Sequence, residues 1–210
     1  MAESNKKRAY DLIFNDIIMG SFPQGVLNEQ KLIERYGIGK TPIREALVEL
    51  CNEDVLRSIP RFGYEILPLN RRDIVNLLEY RCILECGSLR LFAQQGTREA
   101  FEDMLAFARR ETEGLRDADV WQAWESNVRV HMRLIESAGN EYSAKMLLRC
   151  LNILKRAYAQ YYWDEQRGVK KPFSENSHAR IAQMLLEGEA DAAEEALRGD
   201  IRSFEQLIFR

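Results

Sequence analysis

The sequence predicts a mostly α-helical protein that carries one small β-hairpin near its N-terminus. Apolar residues recur at the three- and four-residue spacing of amphipathic helices along most of the chain. Two short segments with strand-like composition, VLRSI and YEILPL, interrupt that pattern between residues 55 and 69. Strand-like patterns then disappear from Arg71 onward. These three observations predict an N-terminal unit of helices with a hairpin, followed by an all-α antiparallel helical bundle.

The composition fits a packed protein without membrane-spanning segments. Of the 210 residues, 46% are hydrophobic and 30% are charged, which is ample for a core and a solvated surface. No apolar run approaches the roughly 18–20 residues that a membrane span needs, and the N-terminus lacks the apolar segment of a signal peptide. We therefore expect a cytoplasmic protein. The four cysteines form no CxxC pair, so we expect buried free thiols.

The first 70 residues predict three short helices followed by the hairpin. The first helix covers about residues 5–19 and ends where GSFPQG breaks the chain. Asn28 is the expected N-cap of a second helix, EQKLIERY, which stops at Gly37. Thr41 is expected to cap a third helix, with Pro42 at its first position. The two strands of the hairpin are expected to be joined by a glycine turn in PRFG.

Three helices and a hairpin in this order are typical of a winged helix-turn-helix, whose third helix enters the major groove of DNA. Residues 1–68 carry nine Lys and Arg against ten Asp and Glu, so DNA binding would depend on a local cluster of cations. Lys40, Thr41 and Arg44 are predicted to project from the N-terminal end of the third helix. Any one such cation alone is an ordinary surface charge, whereas four on one edge predict a DNA-contacting surface. The four are Lys40, Arg44, Arg57 and Arg61.

The string LNEQKLIERYGIGKTPIREALVELCNEDVLRSIPRFGYEI resembles the N-terminal domain of the GntR family of regulators. The family pattern Gly-Val-Ser-Arg-Thr-Pro-Val-Arg-Glu-Ala-Leu corresponds here to residues 37–47. Gly39 replaces a serine that could bond phosphate, and Lys40 replaces an arginine that reads guanine bidentately, so the operator there would be altered or less strictly read. Gln30 also stands where an arginine is common. The local pattern and the resemblance together predict these DNA-contacting residues: Gln30, Lys40, Thr41, Pro42, Arg44, Arg61 and Gly63.

From Arg71 onward the sequence predicts six amphipathic helices, over about residues 71–95, 98–116, 118–138, 141–166, 173–188 and 190–209. The chain breaks between them at Gly96, near Asp117, at Gly139-Asn140, around residues 168–172 and at Gly188. Such a series is typical of an antiparallel helical bundle. We therefore expect two domains, residues 1–70 and 71–210, joined by a short linker.

Arg81 lies in the middle of the apolar stripe of the first of these helices. A buried arginine is costly unless it is paired. One interpretation is an internal pair with Glu85, one helical turn away. The other is a cation held ready for a carboxylate ligand.

Four further polar residues are predicted to point into the bundle. Asn127 and His131 share one inward stripe, while His178 and Asp200 lie on the inward stripes of two other helices. A single inward histidine is usually a hydrogen-bonded core residue. Four such groups that converge from three helices predict a binding site.

This half of the chain resembles the FCD domain, the ligand-binding domain of the FadR subfamily, through YRCILE, NVRVHMRLIESAGN and ENSHARIAQMLLEGEADAAEEALRGDIRS. Many members hold a divalent metal with one aspartate and three histidines, beside a small organic acid. The resemblance implies that His131, His178, Asp200 and Asn127 hold a divalent transition metal such as Zn, Ni or Mn. It also implies that Arg81 contacts the carboxylate of the effector.

The metal site departs from the family pattern at two positions. Asn127 stands at the family's aspartate and Asp200 at its last histidine, so the carboxylate has moved to another helix. Two imidazoles and one carboxylate still suit a transition metal. Asparagine is a weaker, neutral ligand, and whether the site holds a metal stays open at this point.

The sequence thus predicts a ligand-responsive transcription regulator, a repressor that a small organic acid releases from double-stranded operator DNA. We expect a homodimer built through the helical domain, because a second recognition helix adds a second half-site. One alternative is a helical metal-dependent enzyme, against which the sequence shows no nucleophile–base pair, P-loop or dinucleotide fingerprint. The other is an interaction module without an effector, in which Arg81 and the histidines would be structural.

Overall fold

The computed structural model describes residues 4–113, 115, 118–165 and 177–209, with backbone only at 162–165. The chain forms two compact units. The first comprises Met1–Leu69 and Lys155–Gln166, and the second comprises Asn70–Leu154 and Arg167–Arg210. Among the helices described, none is both long enough and apolar enough to cross a membrane.

The first unit contains three helices and three short strands. In chain order they are α1 (Asn5–Ile18), β1 (Val26–Leu27), α2 (Glu29–Tyr36), α3 (Lys40–Asn52), β2 (Leu56–Ile59) and β3 (Gly63–Ile66). Helix α3 packs against α1, α2 and β2. Its apolar stripe, Ile43, Ala46, Leu47 and Leu50, is fully buried. The prediction of three N-terminal helices is therefore confirmed.

Local capping explains where α2 begins and ends. The side chain of Asn28 accepts hydrogen bonds from the backbone N–H groups of Gln30 and Lys31, at 3.0 and 3.2 Å. At the other end Gly37 adopts a left-handed conformation with φ 62°, which costs glycine little because it has no Cβ. Both predicted ends of this helix are confirmed.

The predicted cap of α3 is wrong. Gly39, not Thr41, is the N-cap, and its carbonyl accepts the first helical hydrogen bond from Ile43 N at 3.3 Å. Pro42 is consequently the third residue of the helix and not the first. The missing N–H of Pro42 is still harmless, because the first N–H groups of any helix lack an intrahelical partner.

The wing is a three-stranded antiparallel sheet in the order β1-β3-β2. Strand β1 pairs Leu27 with Tyr64, and its two residues were not predicted from the sequence. The predicted glycine turn is wrong, because Phe62 N bonds Ile59 O and Arg61 takes the left-handed conformation, with φ 70°. Gly63 instead opens β3 at φ 125°, where a Cβ would lie 2.3 Å from the carbonyl oxygen of Leu27. The close approach of β1 therefore requires glycine at this position.

Six helices beyond residue 70 are described. They are α4 (Arg71–Gln95), α5 (Arg98–Glu113), α6 (Val120–Ser137), α7 (Glu141–Glu165), α8 (Ser177–Leu186) and α9 (Ala190–Ile208). They match the predicted helices within the described residues. The predicted break near Asp117, the break around residues 168–172 and the helix start at 173–176 lie outside the described residues.

The second unit is a helical bundle in which α4 packs against α6 and α9, α5 against α6 and α8, and α8 against α9. Helix α4 begins at a capping box in which Asn70 and Asp73 exchange hydrogen bonds. Its predicted inward stripe, which includes Arg81 and Glu85, is buried as expected.

The buried stripe of α9 passes beside Asp200 and not through it. Its buried residues are Ala193, Leu197, Ile201, Phe204 and Ile208. The sequence pattern places Asp200 on one stripe with Ala193, Ala196, Phe204 and Leu207; the first and third of these are buried, whereas Ala196 and Leu207 are half-buried. Asp200 therefore lies beside the buried stripe, although only 6% of its side chain is exposed.

The C-terminal part of α7 belongs to the first unit. The side-chain amide of Gln160 accepts from Leu69 N at 2.9 Å and donates to Leu69 O at 3.0 Å. Arg156 donates to the carbonyl oxygen of Asp54 at 2.8 Å, just beyond the end of α3. These bonds join residues that are about a hundred positions apart in the sequence.

Candidate functional site

The N-terminal end of α3 presents its polar residues to solvent. Lys40, Thr41 and Arg44 are exposed, and Pro42 is half-buried. The same three exposed residues line a surface cleft together with Lys6 of α1. Sequence reasoning missed Lys6, because its position beside α3 follows from the packing of α1. This surface has the form that a recognition helix needs to reach base edges and phosphates.

Two cations of this surface are paired with carboxylates of the same unit. Arg44 Nε lies 3.4 Å from Glu29 Oε2, and Lys6 Nζ lies 2.8 Å from Glu49. Tyr64 lies near the pair of Arg44 and Glu29. Partial burial and the charge of Glu29 raise the pKa of the Tyr64 hydroxyl, and Arg44 opposes that rise. Each exposed pair is weak, so DNA phosphates can compete for these cations.

The remaining predicted contacts lie on α2 and in the wing. Gln30 is exposed and its amide bonds Glu34 at 3.0 Å. Arg57 lies directly opposite Glu65 in the sheet and pairs with it at 2.5 Å, so it is less available to DNA than the sequence suggested. Arg61 is exposed at the tip. Gly63 is half-buried.

Phe62 is a large apolar side chain that is 74% exposed. It stands at the wing tip beside Arg61. Sequence reasoning passed over Phe62, although its place in PRFG between two strands could have indicated it. Apolar side chains at such tips can insert between base steps of the minor groove.

Two histidines and one aspartate come together in the second unit. His131 Nε2 lies 3.3 Å from Asp200 Oδ2, and His178 Nε2 lies 3.4 Å from the same oxygen. The two imidazole rings meet edge to face, with centroids 5.0 Å apart. One ligand atom from each of the three residues falls within 4.8 Å of the others. The predicted convergence of these side chains from α6, α8 and α9 is thus observed.

Polar atoms of this cluster, and of Asn127 one helical turn before His131 on α6, lack an aligned hydrogen bond among the described residues. Within the part of the chain that the structure describes, His131 Nε2, His178 Nε2 and Asn127 Oδ1 are buried without an aligned hydrogen bond. Buried polar atoms in native proteins are normally bonded to protein, water or an ion. Two imidazole nitrogens, a carboxylate and an amide oxygen are a donor set that a divalent transition metal accepts. The residues present therefore fit such a metal.

Asp200 is negatively charged in this arrangement. Burial disfavours its charge, but the contacts with His131 and His178 hold the pKa of its carboxyl well below the usual range. Its second oxygen accepts a hydrogen bond from the Ser177 hydroxyl at 2.7 Å. One carboxylate oxygen is thus held by protein, and the other faces the histidines.

Behind His131 lies a residue that sequence reasoning did not include in the site. Glu85 is fully buried; its Oε2 lies 2.5 Å from His131 Nδ1, and its Oε1 accepts from Arg81 Nε at 2.6 Å. Burial opposes its ionisation, but Arg81 and His131 together lower the pKa of Glu85 to about 2. The internal pair of Arg81 and Glu85, one of the two interpretations above, is therefore present.

Arg81 retains unused donor capacity. Its Nη2 is buried without a hydrogen-bond partner among the described residues. The pair with Glu85 thus occupies one part of the guanidinium and leaves another part for a ligand.

A winged helix-turn-helix with an exposed recognition helix, in a chain that also carries a helical bundle with a buried polar cluster, defines a class: ligand-responsive DNA-binding transcription regulators. The gntR family of bacterial regulatory proteins matches residues 5–66, and the FCD domain matches residues 76–203. The chain therefore belongs to the GntR family and carries an FCD domain, which fits the FadR subfamily.

Relatives of known name support this assignment. The HTH-type transcriptional repressor GlaR of Escherichia coli (strain K12) is 25% identical over 175 residues, which cover 80% of this chain and 78% of that protein. The probable D-xylose utilization operon transcriptional repressor of Paenarthrobacter nicotinovorans is 26% identical over 196 residues, or 92% and 84% of the two chains.

Solved structures show the same fold. A putative transcriptional regulator GntR from Rhodococcus sp. RHA1 superposes with a TM-score of 0.72 at 19% identity, covering 98% of each chain. E. coli McbR/YncC superposes with a TM-score of 0.77 at 14% identity, covering 99% of this chain and 98% of its own.

Proposed function

We propose that this regulator is a repressor that leaves its operator when a small carboxylate effector binds the FCD domain. The observation that carries the proposal is the exposed N-terminal end of α3, where Lys40, Thr41 and Arg44 face solvent above a buried apolar stripe. Arg is the best bidentate reader of guanine, and Lys reaches guanine or phosphate. The named repressors among its relatives support repression over activation.

The proposed DNA contacts are those that sequence and surface both favour. They are Gln30, Lys40, Thr41, Pro42, Arg44, Arg61 and Gly63. Lys6 and Phe62 join them on structural grounds, since one lines the cleft beside α3 and the other stands at the wing tip. Residues 1–70 would form the DNA-binding domain and residues 71–210 the effector-binding domain.

The proposed sensor is a divalent metal held by His131, His178 and Asp200, with Asn127 as a weak fourth ligand or a hydrogen bonder to bound water. Among the described residues, the two histidine nitrogens that face Asp200 without an aligned hydrogen bond, and the unbonded amide oxygen of Asn127, support this assignment. A bound metal would supply a positive charge that attracts an anionic effector. The free Nη2 of Arg81 would then take a carboxylate oxygen of that effector.

We propose that the protein acts as a homodimer that joins through the second unit. Exposed apolar side chains on α4 and α7 offer a contact surface, led by Ile83 at 77% and Tyr142 at 72% exposure. Tyr80, Leu91 and Leu148 are further exposed apolar side chains on these two helices. A second copy is the partner that DNA recognition calls for, because two-fold pairing provides a second half-site. Sedimentation of wild type and Ile83→Glu tests this; a wild-type monomer at micromolar concentration contradicts it.

We further propose that the histidine cluster binds rather than catalyses, since the family consists of transcription regulators. A cytoplasmic location follows for a protein whose partner is chromosomal DNA.

The alternative function is an interaction module without an effector. In that case no small acid would change the affinity of the protein for DNA.

The experiment is a mobility-shift assay against the region upstream of the protein's own gene, with and without a panel of small organic acids. A specific shift that one acid reverses supports the proposal. A specific shift that no acid alters, in protein loaded with Zn²⁺, favours the interaction module. No specific shift on any upstream fragment contradicts the DNA-binding role.

A further inference from the structure

The contact between Glu85 and His131 suggests a role for a residue that lies outside the predicted ligand set. Glu85 is on α4 and His131 is on α6, and both side chains are at most 1% exposed. Both oxygens of the carboxylate are engaged, one by His131 Nδ1 and the other by Arg81 Nε. The carboxylate is therefore fixed in place from two sides.

The chemistry of imidazole sets what this contact does. A buried carboxylate accepts hydrogen bonds, so the Nδ1 of His131 must carry the proton that it shares with Glu85. Metal binding displaces any proton on the other nitrogen, Nε2, and the neutral ring then presents its lone pair there. Nε2 is the atom that faces Asp200 and His178.

We propose that Glu85 is a positioning residue that holds His131 in the tautomer whose Nε2 lone pair faces the site. Carboxylates that accept a hydrogen bond from a metal-binding histidine recur in metal sites, and their loss typically lowers metal affinity 10–100-fold. Arg81 contributes indirectly, because it orients the carboxylate. The affinity part of this inference rests on the proposed metal site, whereas the tautomer part does not.

The substitution Glu85→Gln gives a directional outcome. Arg81 has donors only, so it will claim the amide oxygen of the new glutamine. The amide N–H₂ then faces His131 Nδ1, which must accept, and the ring proton moves to Nε2. That proton blocks the lone pair at the atom that faces Asp200.

A second substitution separates this effect from a general loss of structure. Glu85→Gln leaves the buried Arg81 without its charged partner, which is strongly destabilising. In the double variant Arg81→Met plus Glu85→Gln the buried cation is gone and the glutamine oxygen is free to accept from Nδ1. The double variant should therefore recover part of the lost affinity, and it serves in place of the single variant if that one fails to fold.

Two measurements on the full-length protein test the role of Glu85. The chain has two histidines, His131 and His178, so ¹⁵N-imidazole NMR of the metal-free protein reports their tautomers without overlap, at a pH where the rings are neutral. Competition of Zn²⁺ with a chromophoric chelator gives the metal affinity. Glu111→Gln is the matched control, since Glu111 forms a bidentate pair with Arg129 in the same unit.

We expect Glu85→Gln to move the proton of His131 from Nδ1 to Nε2 and to weaken Zn²⁺ binding 10–100-fold, with the control unchanged. An unchanged tautomer together with wild-type Zn²⁺ affinity overturns the inference. If wild type binds no Zn²⁺ while the tautomer still changes, the proposed metal fails and the positioning role of Glu85 stands.

Discussion

Arg44 Nε lies 3.4 Å from Glu29 Oε2, and this contact joins the proposed recognition helix α3 to the first turn of α2. The side chain of Arg44 is 62% exposed, so the pair is a weak one. It nevertheless restricts the guanidinium to the side of α3 that faces away from the core. Predictions for both partners follow from this geometry.

Arg44→Ala should abolish specific operator binding and leave the fold intact, because 62% of the side chain is exposed. A good bidentate contact with a base supplies on the order of 1–3 kcal/mol of discrimination. Mobility shifts with specific and scrambled DNA measure the loss, and circular dichroism checks the fold. Arg98→Ala, which removes an exposed arginine that pairs with Glu102 on α5, is the control and should leave the specific shift unaltered. Wild-type operator affinity in Arg44→Ala would show that α3 is not the recognition helix.

Glu29→Gln should lower the ratio of specific to non-specific binding. The change removes a negative charge close to where phosphates would lie, so non-specific affinity rises. It also frees Arg44 to adopt other rotamers, which weakens base readout. Binding isotherms on operator and random DNA at several salt concentrations measure the specific and the non-specific affinity. A ratio that rises instead would mean that Glu29 merely sequesters Arg44.

Arg61→Gly should stabilise the wing while it weakens DNA binding. Arg61 holds φ 70° in the turn between β2 and β3, a conformation that costs a non-glycine residue roughly 1–2 kcal/mol. Glycine relieves that strain, although its greater unfolded-state entropy returns part of the gain. Denaturant unfolding should therefore show a slightly higher midpoint, and the salt dependence of DNA binding should fall by about one phosphate contact. Unchanged DNA affinity would remove Arg61 from the contact surface.

Gly63→Ala should destabilise the protein whether or not Gly63 touches DNA. The added Cβ would lie 2.3 Å from the carbonyl oxygen of Leu27, and φ 125° is a strained conformation for any L side chain. We expect a loss of at least about 1–3 kcal/mol in the free energy of unfolding. Gly199→Ala is the control, since its Cβ would meet no atom within 4 Å and the position is helical. A wild-type unfolding midpoint in Gly63→Ala would contradict the pairing of β1 with β3.

Features set by neighbours in sequence were predictable, and those set by tertiary packing were not. Asn28 and Gly37 bound α2 through contacts of two to four residues, and Arg81 pairs with Glu85 across one helical turn. The contact of Glu85 with His131 spans 46 residues and depends on how α4 packs against α6. No periodicity in either helix shows that these two stripes face each other.

The same reasoning applies to β1 and to the C-terminal part of α7. Two residues, Val26 and Leu27, are too few to show an alternating pattern, so only their pairing with β3 makes them a strand. The grouping of Lys155–Gln166 with the first unit rests on bonds such as that of Gln160 with Leu69, 91 residues away. The convergence of His131, His178 and Asp200 was predictable because each lies on or beside the buried stripe of its own helix.

In the proposed metal site the carboxylate comes from Asp200 on α9, whereas Asn127 on α6 offers only a neutral amide. Asp200→Asn removes the charged ligand and should reduce Zn²⁺ affinity by more than the 10–100-fold typical of an outer-shell loss. Adding Asn127→Asp should restore much of that affinity, because residue 127 lies one helical turn before His131 on the same face and its side-chain oxygen is buried without a partner among the described residues. Asp191→Asn, a 90% exposed position on α9, is the control. Zinc competition on untagged protein measures all four proteins, with DNA binding as the check that each is folded. If Asp200→Asn binds Zn²⁺ as wild type does, Asp200 is not a ligand; if the double variant stays as weak as the single one, the carboxylate cannot act from α6.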